Sequence, residues 1–279
     1  MNMHSGLLLH VAADTTNLGI VGPIFQDMSF EFLPIPSDLE KLSYKHYPAR
    51  NLQYGRNLAD FIPSDRAGDP VHCDPEFQRF TYGQPIFYEG EHFTGEIVRT
   101  QTLKKLRKGN VLFFFASLAF YNADIYKLKD FSLRSYQVGR KNKYVIGCFT
   151  IEGVAEVYVE RAREQSQDTI NIELLSGKVE KEDVRANAHY QRLETEDANS
   201  FLLIKGDESR SFLLTHAVRL TDHFEKTAFK LNELGQSILR KTTDVMRGAR
   251  WIDKDSTKLL IEKIAESNPE IRSNIPNMR

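Results

Sequence analysis

The chain has 279 residues, 41% of them hydrophobic and 27% charged, enough to bury a sizeable core without disulfide staples. Its formal net charge of -1 excludes a protein that grips polyanions by bulk charge alone and leaves only local basic patches for that task. The cysteines, Cys73 and Cys148, share no C-x-x-C pattern, which argues against a disulfide framework or a thiolate-rich zinc site and fits the reducing cytoplasm.

Residues 7–12 form a short apolar run that predicts a buried first strand, too short for a signal peptide or a membrane span. Asp14-Thr15-Thr16-Asn17-Leu18-Gly19 follows as a turn rich in small polar side chains. It suits either a plain Asx-type turn or the delivery of the Asp14 carboxylate into a ligand pocket. Short extended pieces are expected at 20–24 and 30–36, the second ended by Pro34 and Pro36. From 37 to 69 periodicity is weak and turn residues are frequent, while Tyr44, Tyr47, Tyr54 and Phe61 supply apolar anchors. That combination predicts an ordered excursion over the surface, closed by Gly68-Asp69-Pro70.

His72-Cys73-Asp74-Pro75-Glu76-Phe77, running on to Phe80-Thr81-Tyr82-Gly83, gathers an imidazole, a thiol, a carboxylate and a phenol in twelve residues. Proline biases Asp74 away from the helical region and Gly83 is permissive, so the stretch reads as an ordered loop that presents its polar groups. His72 and Asp74, two apart, can share a face. They suit a general base with its orienting acid, or two ligands of a divalent metal completed through the fold by Asp14, His189 or His216. Cys73 has a nucleophile reading and a structural one, and the second is favoured because neighbours on an extended chain point apart. Phe77, Phe80 and Tyr82 suit base stacking or a core.

Residues 97–108 predict a basic helix with Leu103 and Leu106 inward and Arg99, Lys104, Lys105, Arg107 and Lys108 outward, a solvated face or a set of phosphate contacts. The most apolar run, 111–118, predicts a central strand buried on both faces. A second basic cluster spans 127–143, with Arg134, Arg140, Lys141 and Lys143 interleaved with Phe131 and Tyr136, and residues 139–143 look like a hairpin tip. Segments 144–151 and 154–159 read as successive strands of a meander that suits a small, partly closed barrel. Residues 161–187 read as a charged helix or connection, with Glu180 to Arg185 as an exposed helical turn, and 201–206 as a strand. A capping pair, Asp222 and Glu225, predicts a helix to about residue 242, and a shorter one is expected at 259–264. Asn187-Ala188-His189-Tyr190-Gln191-Arg192 and Ser209-Arg210-Ser211 are further polar clusters, either surface structure or completions of a pocket. No Walker loop, G-x-G-x-x-G, G-x-S-x-G, H-E-x-x-H or deaminase P-C-x-x-C pattern occurs, which argues against the commonest nucleotide, hydrolase and zinc-enzyme classes.

Several of these stretches occur together and in order: residues 7–14 with Gly22-Pro23-Ile24, the His72-Cys73-Asp74-Pro75 and Thr81-Tyr82-Gly83 block, and 106–118 with its Gly109 turn. Asn187 to His189, the 206–214 loop and strand, and Arg247-Gly248-Ala249-Arg250-Trp251-Ile252 follow. With them the chain resembles the third family of nucleotide modification associated domains, assigned to DNA base hypermodification systems of phages and bacteria. The resemblance implies association with modified nucleobases. It points to Asp14, His72, Asp74, Tyr82 and Gly83 as a polar pocket, with His189, Arg210 and Ser211 as further members.

The expectation is a single compact α+β domain over 1–279, with a mixed, largely antiparallel sheet, a barrel-like (PUA-like) middle and a helical segment at 221–279. Its expected function is handling of a nucleotide or nucleobase in a DNA base modification pathway. His72, Asp74 and Asp14 are the candidate catalytic groups; Tyr82, Gly83, Thr81, His189, Arg210 and Ser211 the candidate ligand contacts; Lys104, Lys105, Arg107, Arg140 and Lys141 the candidate nucleic-acid contacts. The competing classes are a non-catalytic reader of modified bases and a free-nucleotide-binding regulatory or defence protein. No cofactor or metal is assigned by sequence, the partner is a nucleotide or DNA, and no membrane is expected.

Overall fold

A computed structural model describes residues 5–14, 17–37, 42–86, 94–126, 132–137, 139–160, 168–192, 200–225 and 227–274. The first half holds β1 (Gly6–His10), β2 (Gly22–Ile24), β3 (Ile35–Pro36), β4 (Val71–His72), β5 (Thr81–Pro85), α1 (Thr94–Leu103), β6 (Val111–Phe120), α2 (Ala123–Tyr126) and α3 (Leu133–Gln137). β7 (Asn142–Glu160), β8 (Thr169–Gly177), α4 (Lys181–Ala186), α5 (Ala188–Arg192), β9 (Ser200–Gly206) and β10 (Phe212–Arg219) follow. The chain then forms β11 (Thr221–Glu225), β12 (Ala228–Leu231), α6 (Glu233–Leu239), β13 (Thr243–Asp244), β14 (Ala249–Ile252) and α7 (Lys254–Ser267).

β6 and β7 are the axis of the main sheet. Every residue of β6 except Phe120 is buried, the environment a continuous apolar run requires. β1 lies parallel to β6 from Gly6 opposite Val111 to His10 opposite Phe115, and β2 rejoins β6, also parallel, at Gly22 opposite Leu118. The intervening chain therefore leaves the sheet at the carboxyl end of β1. β7 runs antiparallel to β6, and over its 19 residues it also pairs with β10, β9 and β8. Bulges interrupt its ladders with β6, β8 and β9, and such extra residues bend a strand. The strand order β14-β1-β6-β7-β9-β5 thus curls into a half-barrel, a mixed and largely antiparallel sheet in an α+β fold.

Several local expectations are corrected. Segments 144–151 and 154–159 are one strand, because the chain bulges at Glu152-Gly153 instead of turning. Gly153 is needed there: a Cβ would lie 2.0 Å from the Lys178 carbonyl oxygen. Residues 139–143 are no hairpin tip, since Gly139 at φ 79° turns α3 into β7 and carries Lys143 into the sheet. The charged segment beyond 160 holds the strand β8, whose mostly exposed side chains explain its polar composition, before the expected helical turn follows as α4. Residues 127–131 and 161–167 lie outside the described residues. The helix predicted from 222 is the hairpin β11–β12, closed by a Phe224–Phe229 ring pair with centroids 4.9 Å apart. Asn232, not Asp222, caps the short α6, accepting a hydrogen bond from Gly235 N–H at 2.8 Å. α7 is longer than predicted because Asp253 caps it, accepting from Ser256 N–H at 2.8 Å, and its Leu260, Ile261 and Ile264 are buried.

The excursion after β3 is ordered over its described part. Tyr44, Leu58 and Phe61 join Ala13, Phe25 and Leu33 in a second apolar cluster, and the Tyr44 hydroxyl donates to the Pro34 carbonyl at 2.6 Å. The chain returns as β4, with His72 opposite Ile35 in a separate two-stranded sheet, and that pairing fixes the backbone of His72. No described helix is long and apolar enough to cross a membrane.

Candidate functional site

β5 and α5 meet next to β4. Gly83 lies within β5, not in a loop, and its N–H donates to the Asp74 carboxylate at 3.0 Å. β5 also carries Thr81, whose hydroxyl accepts a hydrogen bond at 3.1 Å from the side-chain amide of Asn187, itself wholly buried. The Asn187 carbonyl in turn accepts the His189 N–H at 3.0 Å, fixing the first turn of α5 over the strand. His189 packs flat against Gly83: a Cβ there would lie 2.2 Å from His189 Cδ2 and 2.6 Å from Asn187 Oδ1. Glycine is required by this close approach, since Gly83 is not among the residues with positive φ.

The result is a buried triad. His72 Nε2 and His189 Nε2 are 3.1 Å apart, and His189 Nε2 is 3.5 Å from Asp74 Oδ2. One ligand atom from each of the three lies within 4.8 Å of the others. Bonds of about 2.0–2.2 Å to one ion at tetrahedral or octahedral angles place ligand atoms roughly 2.8–3.6 Å apart, a window that holds the 3.1 and 3.5 Å separations on either side of His189 Nε2. Among the described residues this is the group of histidines and acids that can hold a metal ion. His72, Asp74 and His189 are 7%, 6% and 6% exposed, so their polar atoms are aimed at one another and at the cleft they border, away from bulk water.

That cleft has a volume of about 640 Å³, in the range of small-molecule sites. Besides the triad it is lined by Tyr82, Gly83, Gln84, the Arg66–Asp69 ion pair, Asn17, His10 and Arg99. Tyr82 turns its ring toward Phe114, with centroids 5.8 Å apart, and donates its hydroxyl to Gln84 at 3.0 Å. Phe77 and Phe80 face the core, packing on Phe149 at 5.5 and 5.8 Å, and Cys73 packs on the second apolar cluster.

The other residues singled out by sequence lie elsewhere. Thr81 sits behind the cleft as the anchor of Asn187. Asp14 makes a reciprocal turn with Asn17, each N–H donating to the other's side chain, and it is Asn17, not Asp14, that lines the cleft. Arg210 pairs with Asp207 at 2.6 Å, and the Ser211 hydroxyl accepts from Thr150 N–H at 3.2 Å, both on the β9–β10 turn and outside the cleft lining. Lys104 pairs with Glu156 at 2.8 Å, Arg107 donates to the carbonyls of Lys104 and Leu106, and Lys105 is exposed. Arg140 covers the Tyr136 ring, Lys141 lies 5.6 Å from the Phe224 ring, and His216 sits on β10 with its N–H donated to Asn268.

Sequence reasoning missed His10 and read Lys143 as one cation of a basic cluster, whereas the signal for both was a polar residue inside or ending an apolar strand. Lys143 Nζ lies 2.7 Å from His10 Nε2 and 2.7 Å from Ser117 Oγ, and the side chain is buried. Burial lowers the Lys143 amine to about 7, countered by Asp14 and reinforced by Lys141 and Arg247. Burial, then Lys143, Arg99, Arg247 and Lys141, hold His10 well below the ordinary imidazole value. A lysine depressed on folding costs stability that is absent above its unfolded value near 10.5, grows as pH falls and is complete below about 7. Lys143→Met is therefore expected to be more stable than wild type at neutral pH, by on the order of a few kcal/mol, with the advantage shrinking toward alkaline pH. Urea unfolding at neutral and alkaline pH checks it.

The sequence pattern of the family described as Nucleotide modification associated domain 3 matches residues 6–267. No curated protein and no solved structure matches the chain.

Proposed function

The chain belongs to the nucleotide modification associated domain 3 family, and from that premise we propose that its cleft binds and acts on a nucleotide or nucleobase of a DNA base modification pathway. The observation that carries the reading is the convergence of His72 Nε2, His189 Nε2 and the Asp74 carboxylate on the cleft wall. Two imidazoles and one carboxylate suit zinc, iron(II), manganese or cobalt, and three protein ligands leave positions for water and substrate. Such an ion, when bound, polarises a substrate oxygen or lowers the pKa of a coordinated water. The chain's own part is to hold the three ligands rigidly: Gly83 N–H orients Asp74, and Thr81 and Asn187 orient His189.

In this reading Tyr82 and Gly83 shape the seat of the base, and Asp14 acts by countering the charge of Lys143. Arg210 and Ser211 take no part. The exposed Lys105 and Arg140 remain candidates for contacts to polymeric DNA, and the half-barrel supports a PUA-like description of the middle. A non-catalytic reader would hold its base in an aromatic cage. The described cleft wall carries one phenol, Tyr82, already turned onto Phe114, which favours chemistry over passive reading.

Titration of wild type and of the His72→Ala, Asp74→Ala double variant with nucleosides, nucleotides and plain or modified DNA, with and without divalent metal, tests the proposal. Wild type is expected to bind at least one of these, about tenfold or more tighter with metal, and the folded double variant to lose that binding. Equal binding by both proteins would overturn it.

A further inference from the structure

The part of the cleft lined by His10 and Arg99 is remote from the triad in sequence and lies among cations. β1, β6 and β7 set His10, Ser117 and Lys143 in one hydrogen-bonded row, with His10 facing the cleft. Arg99 of α1 lines the cleft beside His10 and also lines an adjoining hollow of about 280 Å³, shared with Arg247 and Arg250. Arg250 is neutralised by Asp244 at 2.9 Å. Arg99 and Arg247 have no ion-pair partner among the described residues, and Arg99 Nε is buried without an acceptor. Lys141 adds another positive charge, and Asp14 is the carboxylate that counters the group. A buried donor without an acceptor, among cations short of counter-charge, is costly, and an arriving anion removes that cost.

We propose that this end of the cleft, bounded by Arg99, Arg247 and the His10–Lys143 pair, is a phosphate-binding subsite, so that the cleft takes a nucleotide by its phosphate and not a free base. The inference rests on the reading of the cleft as a nucleotide site and names the part of the ligand that this end holds. Guanidinium groups match phosphate oxygens in paired hydrogen bonds, and His10 with Lys143 behind it supplies a donor that a phosphate can use. The groups facing Lys143 and His10 are Ser117, Asp14, Lys141, Arg99 and Arg247. A bound phosphate favours the protonated form of Lys143, which donates to His10 Nε2, so its affinity falls as pH rises past neutrality.

Calorimetric titration of a deoxynucleoside, its 5′-monophosphate, pyrophosphate and a short single-stranded oligonucleotide into wild type, Arg99→Gln and Arg247→Gln tests this. Arg247 is exposed and Arg99 half-buried, so neither substitution opens the core. The monophosphate is expected to bind about tenfold or more tighter than the nucleoside. Each variant should lose most of that preference with nucleoside affinity unchanged, and the preference should shrink at alkaline pH. Arginine-dependent binding of the oligonucleotide alone would support the subsite and assign the phosphate to a DNA backbone. Equal affinity of wild type for nucleoside and monophosphate would overturn the subsite and leave the nucleotide reading standing. Arginine-dependent pyrophosphate binding without any nucleoside or nucleotide binding would support the anion site and overturn the nucleotide reading.

Discussion

Asp74→Ala is expected to lower the affinity of the cleft for a divalent metal by more than about 100-fold, the largest effect of any single substitution at the site. It removes the one anionic ligand of the triad, whereas losing a group that merely orients a ligand costs about 10–100-fold. Asp74 also accepts the Gly83 N–H, so the alanine variant strands a buried donor and should lose about 1–3 kcal/mol of stability as well. Asp74→Asn separates the two effects. It retains an oxygen for Gly83 and should stay near wild-type stability, yet it lacks the charge and should still bind metal poorly. Calorimetric metal titration beside urea unfolding reads both. Wild-type metal affinity in Asp74→Asn and Asp74→Ala would remove the aspartate from the ligand set.

Gly83→Ala is the second large effect, and it comes through packing, not charge. The added methyl would lie 2.2 Å from His189 Cδ2, so the imidazole must leave its place over β5 and carry its Nε2 out of the triad. Overpacking of this kind costs about 1–3 kcal/mol, and the displaced ligand should lower metal affinity by about 10–100-fold. Gly68→Ala is the control, since nothing lies within 4 Å of a Cβ at that position. A Gly83→Ala protein with wild-type metal affinity would show that His189 does not depend on this contact.

These two residues show what the sequence could and could not tell. His72 and Asp74 are legible because two ligand-bearing residues two apart before a proline can share a face. His189 enters from 117 residues away, carried by α5 and the Asn187–Thr81 bond, and no local pattern announces that meeting. Gly83 suggests a loop because glycine is usually a breaker, but it is a strand residue kept small by the imidazole on top of it. The mixed sheet is legible in the apolar runs at β1, β6, β7 and β9, which need burial on both faces. Segment 221–239 misleads because the spacing of Phe224, Ala228 and Leu231 also fits a hairpin, and the cross-strand Phe224–Phe229 pair decides for it. Arg99 reads as one of several outward cations until α1 is set against the cleft, where it becomes a wall residue.

In the proposed function, His72, Asp74 and His189 together hold one metal ion at the cleft. X-ray absorption of the protein loaded with one equivalent of cobalt(II) or zinc tests this. The expected spectrum shows two imidazole nitrogens in the first coordination shell, one of which is lost in His189→Gln. A first shell of oxygen atoms alone, unchanged by that substitution, would contradict the claim.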